Sequence, residues 1–360
     1  MQKQSETHLR FPRENKQPPT TSLIFILLIF VLALSTILSS AYAENYTGDF
    51  LTSGIGGRAL GLGGAYAGVA DDITAVYWNP AGIATISDDI QVSLMHAARR
   101  SGLGQFNYIG AINQVAPYLV LGASWIHAGV GDIPIYPAFD PNIGPSDRRD
   151  IAKYRPDFEP TSFLSDSENA YVITAATRVA ISQEWWDNMG RNSRPPEFLF
   201  GINVKRISQS LVGKSAVGVG FDAGFLIRVL DTNAIFGAEG FGGFSVGLNV
   251  QDISKTTVTW NTDSQRKESI PTNVKFGLSY HNEIVSHRLV LSYEHETRYD
   301  GTDNFGLEYQ LSKRLTLRGG LRGGDFTGGV GILVDRFQVD YALLTNDLIS
   351  THFLSLMASF

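Results

Sequence analysis

Apolar and polar side chains alternate at every second position through most of this 360-residue chain. The segment TNVKFGLSY (272–280) places Phe276 and Leu278 on one face and Lys275 and Ser279 on the other. A two-residue period is typical of β-strands whose two faces meet different surroundings. Fourteen such segments are predicted as strands, at 90–98, 105–114, 117–127, 169–181, 197–208, 216–229, 242–251, 272–280, 287–295, 303–311, 314–322, 325–334, 336–344 and 351–360.

The length and number of these strands favour a transmembrane barrel. Strands of about ten residues cross a bilayer at a tilt of about 45°, and bacterial barrels contain an even number of them. Aromatic side chains lie near strand ends on the apolar face, as a membrane interface requires, at Phe198, Tyr280, Tyr309, Tyr341 and Phe360. The opposite face carries charges that a wet lumen could hold and a soluble core could not, at Lys205, Lys275, Glu294, Glu308, Arg318 and Asp340.

We therefore predict an all-β fold, a transmembrane antiparallel β-barrel of about 14 strands with residues 89–360 as its wall. A soluble sandwich or propeller remains the alternative, because its solvent face could carry the same charges. If the first strand rises outward, the short connections 115–116, 312–313 and Asp335 are periplasmic, and the long gaps 128–168 and 252–271 are external. Two connections fit this rule poorly. The connection 182–196 is long although it is predicted to be periplasmic, and 323–324 is short although it is predicted to be external.

Residues 1–43 are predicted to be a secretory signal peptide. A basic start precedes the apolar run Leu23–Leu38, and Ala41-Tyr42-Ala43 then supplies small residues at the two positions that signal peptidase reads. Cleavage is expected after Ala43. An uncleaved membrane anchor is the alternative, but this apolar run is short for a bilayer that needs about 20 residues.

The last predicted strand ends on a terminal aromatic residue. Leu356, Ala358 and Phe360 lie on its apolar face, and a strand that ends in this way resembles the assembly signal of bacterial outer-membrane barrels. This resemblance implies a location in the bacterial outer membrane, with outer-membrane lipid and the barrel assembly machinery as partners.

Composition and motifs exclude several other functions. Without residues 1–43 the chain keeps 25 Lys and Arg against 33 Asp and Glu, so a nucleic-acid partner is not expected. The chain has no cysteine, which excludes disulfides and thiolate metal sites. The glycine-rich run 61–68 lacks the Lys-Ser/Thr pair of a phosphate loop, and the segment that begins at Asp140 lacks the glutamate of a calcium loop. We predict no metal, no cofactor and no enzymatic activity.

Residues 44–88 lack the two-residue period and are rich in glycine and alanine. A compact segment of this kind ahead of a barrel is predicted to fold into the lumen as a plug, which we call the hatch. Asp71 or Asp72 could cap a short helix through Tyr77, and this helix must end near Asn79 because Pro80 restricts the residue before it.

The hatch also carries a family resemblance. Its stretch GGRALGLGGAYAGVADDITAVYWNPAGIA (56–84) resembles the N-terminal signature of the FadL-type outer-membrane transport superfamily, and it is most similar to the PorV/PorQ and UPF0164-like branch. The resemblance implies a 14-stranded barrel that passes small hydrophobic molecules across the outer membrane. In the PorV-like alternative, the barrel serves type IX protein secretion and receives an exported cargo protein.

Seven hatch residues are the candidate site. The predicted hatch and gating residues are Arg58, Asp71, Asp72, Trp78, Asn79, Pro80 and Ala81. Because a charge buried in the lumen needs a partner, Arg58 is predicted to pair with Asp71, Asp72 or a lumen carboxylate such as Glu294 or Glu308. The alternative is that Arg58 faces water at the periplasmic mouth.

Glycines crowd the eleventh and twelfth predicted strands, 314–322 and 325–334. Glycine in a strand can mark a bulge, so these two strands are the predicted position of a gap in the wall.

Overall fold

The computed structural model describes residues 47–99, 104–136, 144, 160–189, 193–230, 232, 242–284, 287–298, 301–345 and 350–360. The predicted signal peptide, with Ala41 and Ala43, and residues 44–46 of the predicted hatch lie outside these ranges. No helix within these ranges is long and apolar enough to cross a membrane.

Sixteen strands form one antiparallel sheet in the described residues. They are β1 Ile90–Arg99, β2 Gln105–Ala116, β3 Leu119–Ile135, β4 Ser162–Ala180, β5 Glu197–Leu211, β6 Lys214–Val229, β7 Gly243–Gln251, β8 Thr256–Trp260, β9 Lys267–Ile270, β10 Asn273–Ile284, β11 His287–Glu296, β12 Thr302–Gln310, β13 Leu315–Arg322, β14 Asp325–Val334, β15 Phe337–Thr345 and β16 Ser350–Ser359. Neighbours pair around the full circle, including β16 with β1, β7 with β10 and β5 with β6. The result is a closed barrel of 14 strands, while β8 and β9 form a hairpin that pairs with β6 alone.

All fourteen predicted strands are present, and two of the predicted long connections differ. The gap 128–168 is shorter than predicted because β3 and β4 extend beyond the other strands and pair as far as Ile135 and Ser162. The gap 252–271 contains the β8–β9 hairpin, whose sequence TTVTW is rich in β-branched residues. The poorly fitting connection 182–196 contains the helix α3, Gln183–Asn188, and the Ser182 side chain accepts a hydrogen bond from the Trp185 N–H at its start.

The gap predicted in the wall is absent. The two strands concerned are β13 and β14, and they pair continuously from Leu315 with Ile332 to Arg322 with Asp325. Register shifts occur elsewhere, in the β2–β3 and β3–β4 ladders. The prediction was wrong because two of these glycines, Gly320 and Gly329, have a different use: they face the lumen and contact the hatch.

The outer face of the barrel is apolar. On β5 the side chains of Phe200, Ile202 and Val204 are 46%, 58% and 45% exposed, while those of Asn203 and Lys205 between them point inward and are buried. An apolar exterior with this alternation is what a bilayer requires of a transmembrane barrel.

Hatch residues 47–88 fill the lumen. They form a 3-10 helix at Asp49–Ser53, the helices α1 (Gly57–Gly61) and α2 (Ala75–Trp78), and a second 3-10 helix at Pro80–Thr85. Their large apolar side chains make a buried core with the inner face of the wall, and six of them are at most 1% exposed: Ile55, Leu62, Tyr66, Ile73, Trp78 and Ile83.

The prediction that water surrounds the six charged residues of the inner face is wrong. All six are buried beside the hatch, and each pairs with an opposite charge of the wall; they are Lys205, Lys275, Glu294, Glu308, Arg318 and Asp340.

Candidate functional site

Glycines on the inner face of the wall let the hatch backbone touch the strands. Gly277 of β10 lies opposite Gly247 of β7, and Gly320 of β13 lies opposite Gly306 of β12. A Cβ atom on Gly320 would lie 2.6 Å from the Leu62 carbonyl carbon, and one on Gly277 would clash with the backbone nitrogen of Gly68. Real Cβ atoms do not approach so closely, so a larger residue at these positions would push the hatch away from the wall.

Arg58 lies in α1 and binds carboxylates of the hatch and of the wall. Its Nη1 lies 2.5 Å from Asp71 Oδ1 and 3.4 Å from Asp72 Oδ2, and its Nε lies 2.8 Å from Glu308 Oε2 on β12. The prediction that Arg58 pairs with these carboxylates is confirmed, and the water-facing alternative is wrong. Glu294, the other carboxylate considered, has different partners.

The Arg58 cluster continues into the wall. Glu308 Oε2 also accepts a hydrogen bond from Arg318 Nε of β13 at 2.8 Å, and Arg318 Nη1 binds Asp340 Oδ1 of β15 at 2.7 Å. The hatch is thereby joined to three wall strands by one buried chain of alternating charges. Removal of one member of such a chain leaves an uncompensated buried charge, which is strongly destabilising.

Glu294 of β11, the strand next to β12, holds a turn of the hatch. Its Oε2 accepts hydrogen bonds from the backbone N–H groups of Tyr66 at 3.0 Å and Ala67 at 2.7 Å. Lys275 of β10 balances the charge, with Nζ 2.9 Å from Glu294 Oε1. This buried carboxylate therefore recognises hatch backbone rather than Arg58.

Asp72 lies just before α2, and its role differs slightly from the predicted one. Its Oδ1 accepts hydrogen bonds from the N–H of Thr74 at 2.8 Å and from the Thr74 hydroxyl at 2.5 Å. Thr74, not Asp72, occupies the N-cap position of α2, and no side chain caps the helix itself. Asp72 therefore fixes the turn that leads into the helix. The helix ends at Trp78, and Asn79 before Pro80 is extended, as predicted.

Three amide side chains of the wall donate hydrogen bonds to the C-terminal end of α2. Asn203 Nδ2 donates to the Val76 carbonyl at 2.8 Å, Gln251 Nε2 to that of Tyr77 at 2.9 Å, and Asn249 Nδ2 to that of Trp78 at 2.9 Å. The last carbonyls of a helix lack partners within the helix, so the wall supplies donors for them.

These three amides are not among the predicted site residues, because only buried charges on the inner face require a partner in advance. The available signal was Asn and Gln at inward positions of β5 and β7.

Asn79 joins two points of the hatch to β6 of the wall. Its Nδ2 donates to the carbonyls of Ala67 in the hatch and Phe225 in β6, each at 3.0 Å, and its Oδ1 accepts from the N–H of Ala81 at 3.2 Å. Pro80 and Ala81 lie against β5, where a Cβ on Gly201 would clash with both.

Trp78 fixes another part of the hatch, because its indole Nε1 donates to the Ile55 carbonyl at 2.9 Å. The seven predicted hatch residues thus belong to one connected arrangement, and their role in gating stays a prediction.

The predicted assembly residues lie on β16 and directly after it, where β16 pairs with β1. Phe360 exchanges backbone hydrogen bonds with Ile90, where β1 begins. Leu356 and Phe360 are 40% and 55% exposed on the outer face, and Ala358 pairs with Val92. Their recognition by an assembly machinery stays a prediction.

A cavity of about 580 Å³ lies beside the hatch. We call the rim where β1 begins and β16 ends the base, and the opposite rim the top. The cavity is at the top, where Phe106 and Phe353 line one side and Arg298 and Arg322 the other, and Tyr77 of the hatch contributes to its wall. Among the described residues, no three His, Asp or Glu side chains are arranged to hold a metal ion.

Comparison with known proteins gives a likeness in fold alone. No family model matches the sequence. A search of curated proteins likewise finds no match. Two solved structures of monoaromatic hydrocarbon channels are similar: the TodX deltaS2S3 mutant has a TM-score of 0.50 and CymD one of 0.51. Each is 10% identical to this chain and covers 85% of it, and the match spans 99% of the TodX mutant and 98% of CymD. The chain therefore shares the barrel fold of these two hydrocarbon channels.

Proposed function

We propose that this protein passes small hydrophobic molecules across a bacterial outer membrane, as a FadL-like channel whose lumen is closed by its own hatch. The observation that carries the proposal is a closed 14-stranded barrel, apolar outside, whose lumen is filled by an N-terminal segment held by hydrogen bonds and ion pairs. The resemblance of 56–84 to the FadL-type signature and the fold shared with two hydrocarbon channels support the substrate class.

In this proposal the chain has three parts. Residues 1–43 direct export and are removed, 44–88 form the hatch, and 89–360 form the barrel. The strand Ser350–Ser359 and the terminal Phe360 are read by the barrel assembly machinery, and outer-membrane lipid covers the apolar face. The base then faces the periplasm, and the top cavity faces the outside.

Passage requires the hatch to move. A hydrophobic molecule enters the top cavity along Phe106 and Phe353 and meets the hatch at Tyr77. The contacts that must rearrange include those of Arg58 and Asn79, because they join the hatch to two separate strands of the wall, β12 and β6. The lumen charges do not prevent the passage of an apolar substrate, because ion pairs with one another and with the hatch neutralise them.

The test is deletion of the gene followed by two assays. Uptake of a labelled monoaromatic hydrocarbon and a labelled long-chain hydrophobic compound is expected to fall, and complementation with the wild-type chain should restore it. A survey of secreted proteins should show no change. Lost secretion with intact uptake would instead favour the PorV-like role in type IX secretion, with a cargo protein as the partner.

A further inference from the structure

The β8–β9 hairpin is attached to the barrel more weakly than the strands around it. Its ladder with β6 covers only Ala216–Gly218 and continues in two hydrogen bonds between Asn261 and Ser215, whereas β5 pairs with β6 along its whole length, Glu197–Leu211. The hairpin lies at the top, beyond the point where β7 leaves β6. It also reaches the lumen side of β6, since a Cβ on Gly218 would lie 2.7 Å from the Thr257 carbonyl oxygen.

The hairpin contacts the first described residues of the hatch. The Thr47 hydroxyl donates a hydrogen bond to the Glu268 carboxylate of β9. Gly48 packs against Ile270, so closely that a Cβ on Gly48 would lie 2.7 Å from Ile270 Cδ1. Ile270 is 1% exposed, so this contact is fully buried. The hairpin therefore covers the leading end of the hatch.

The root of the hairpin has an unusual backbone. Asp252, Ser254 and Lys255 have φ of 54°, 65° and 64°, the left-handed region that residues with side chains seldom adopt. Such conformations persist where the surroundings hold them, and they concentrate at segments that switch between states.

Buried charges hold this root in place. The Asp252 carboxylate is fully buried and binds Lys205 Nζ at 2.8 Å, Thr256 Oγ1 at 2.7 Å and Arg298 Nη2 at 3.2 Å. Arg298 also lines the 580 Å³ cavity at the top. The same side chain thus touches both the root of the hairpin and the space that a substrate would enter.

We propose that the β8–β9 hairpin is a latch on the hatch. In the closed state described here it retains the leading end of the hatch. It turns about 252–255 to free Thr47 and Gly48, and the hatch can then leave the wall. This inference rests on the proposed transport function for its role, and it can be tested apart from transport.

The first experiment links the hairpin covalently to β6 with an engineered disulfide. Val217 and Thr259 are directly paired across β6 and β8, at a separation that suits a disulfide. Because the natural chain has no cysteine, the variant V217C/T259C has a single possible bridge. The matched control S210C/S215C bridges β5 and β6 beside it and adds no covalent link to the hairpin, whose Asn261 keeps its hydrogen bonds to the Ser215 backbone.

Two readouts decide the proposal. Hydrocarbon uptake by cells that carry V217C/T259C should be at least fivefold lower in the oxidised state than after reduction, with no difference for the control. In the purified proteins, amide hydrogen exchange of 47–56 should be slower on oxidation of V217C/T259C only. Equal exchange in both redox states would overturn the latch. If the wild type shows no uptake, the transport proposal fails and the exchange result alone decides the latch.

A second variant tests the latch without a bridge. Thr47→Val removes the hydroxyl that binds Glu268 at nearly constant volume, and hydrogen exchange of 47–56 should become severalfold faster. Thr257→Val, on the exposed side of the same hairpin, is the control and should leave exchange unchanged. Equal exchange in the two variants would also overturn the proposal.

Discussion

At the scale of single residues, the hatch is held by side chains that each serve several partners. Arg58 bridges two hatch carboxylates and one of the wall, and Asn79 joins two carbonyls and one N–H. The sequence allowed the Arg58 pairing to be predicted, because a charge in a filled lumen must be balanced and few carboxylates are in reach. The amide contacts of Asn203 and Asn249 could not be predicted, since they depend on the register between hatch and wall.

Arg58→Ala should open the hatch. The change leaves Asp71 and Glu308 with one partner fewer in a buried setting, at a cost of about 3 kcal/mol. Open events in planar bilayers should then become more frequent on the order of 100-fold. Arg206→Ala, at an exposed position of β5, is the control. Conductance equal to that of the wild type would contradict a role for Arg58 in closing the lumen.

Asn79→Asp should disturb the hatch more than its small change in shape suggests. The carboxylate cannot donate, so the carbonyl oxygens of Ala67 and Phe225 both face an acceptor. Loss of buried hydrogen bonds of this kind costs roughly 1–3 kcal/mol. Faster hydrogen exchange of 65–82 would report the effect, and Asn113→Asp, exposed on β2, should leave exchange as it is.

At the scale of elements, the strands were predictable and the contact between hatch and wall was not. Alternation located all fourteen barrel strands because one face of each meets lipid and the other the filled lumen. The alternation did not reveal β8 and β9 as strands, and these two are short and do not span the barrel. The glycines of β13 and β14 indicated irregularity, whereas Gly320 and Gly329 in fact make room for the hatch. Glycine content alone does not show whether a glycine marks an irregularity of the strand or makes room for another segment that packs against it.

Gly277→Ala tests this use of glycine. The added methyl group would meet the backbone of Gly68, so the hatch must shift away from β10. We expect a more conductive barrel with faster hydrogen exchange in 66–70. Gly328→Ala on β14 places a methyl group where no atom lies within 4 Å and serves as the control. Identical behaviour of the two variants would show that Gly277 is not needed for close contact.

At the scale of the whole molecule, the barrel and the hatch depend on each other. The inner face carries amides and a carboxylate that bind hatch backbone, and the hatch buries its apolar side chains against the inside of the barrel. The general fold followed from sequence, since alternation, strand length and a leading glycine-rich segment all indicated a plugged barrel. The burial of the inner-face charges could not be predicted from the sequence. A pattern of polar positions does not show whether water or another segment of the chain lies against them.

Removal of 47–88 from the mature chain should give a permanently open pore. Water would replace the hatch around Lys205, Lys275 and Glu294, which can stay charged there. Single-channel recording should show a large and steady conductance, in contrast to the closed wild type. A truncated barrel that stays closed would mean that segments other than the hatch block the lumen.

The position of the hatch at the start of the chain has a consequence for biogenesis. Apart from Gln91 and Met95 of β1, its hydrogen-bond partners in the wall lie on strands that are synthesised much later, such as Asn203 of β5, Glu308 of β12 and Ser355 of β16. In the proposed exported protein, the leading segment therefore precedes most of the surface that receives it, and it cannot complete its contacts until the later strands are in place. Closure of the lumen then depends on the pairing of β16 with β1, so the pore is sealed only when the barrel is complete.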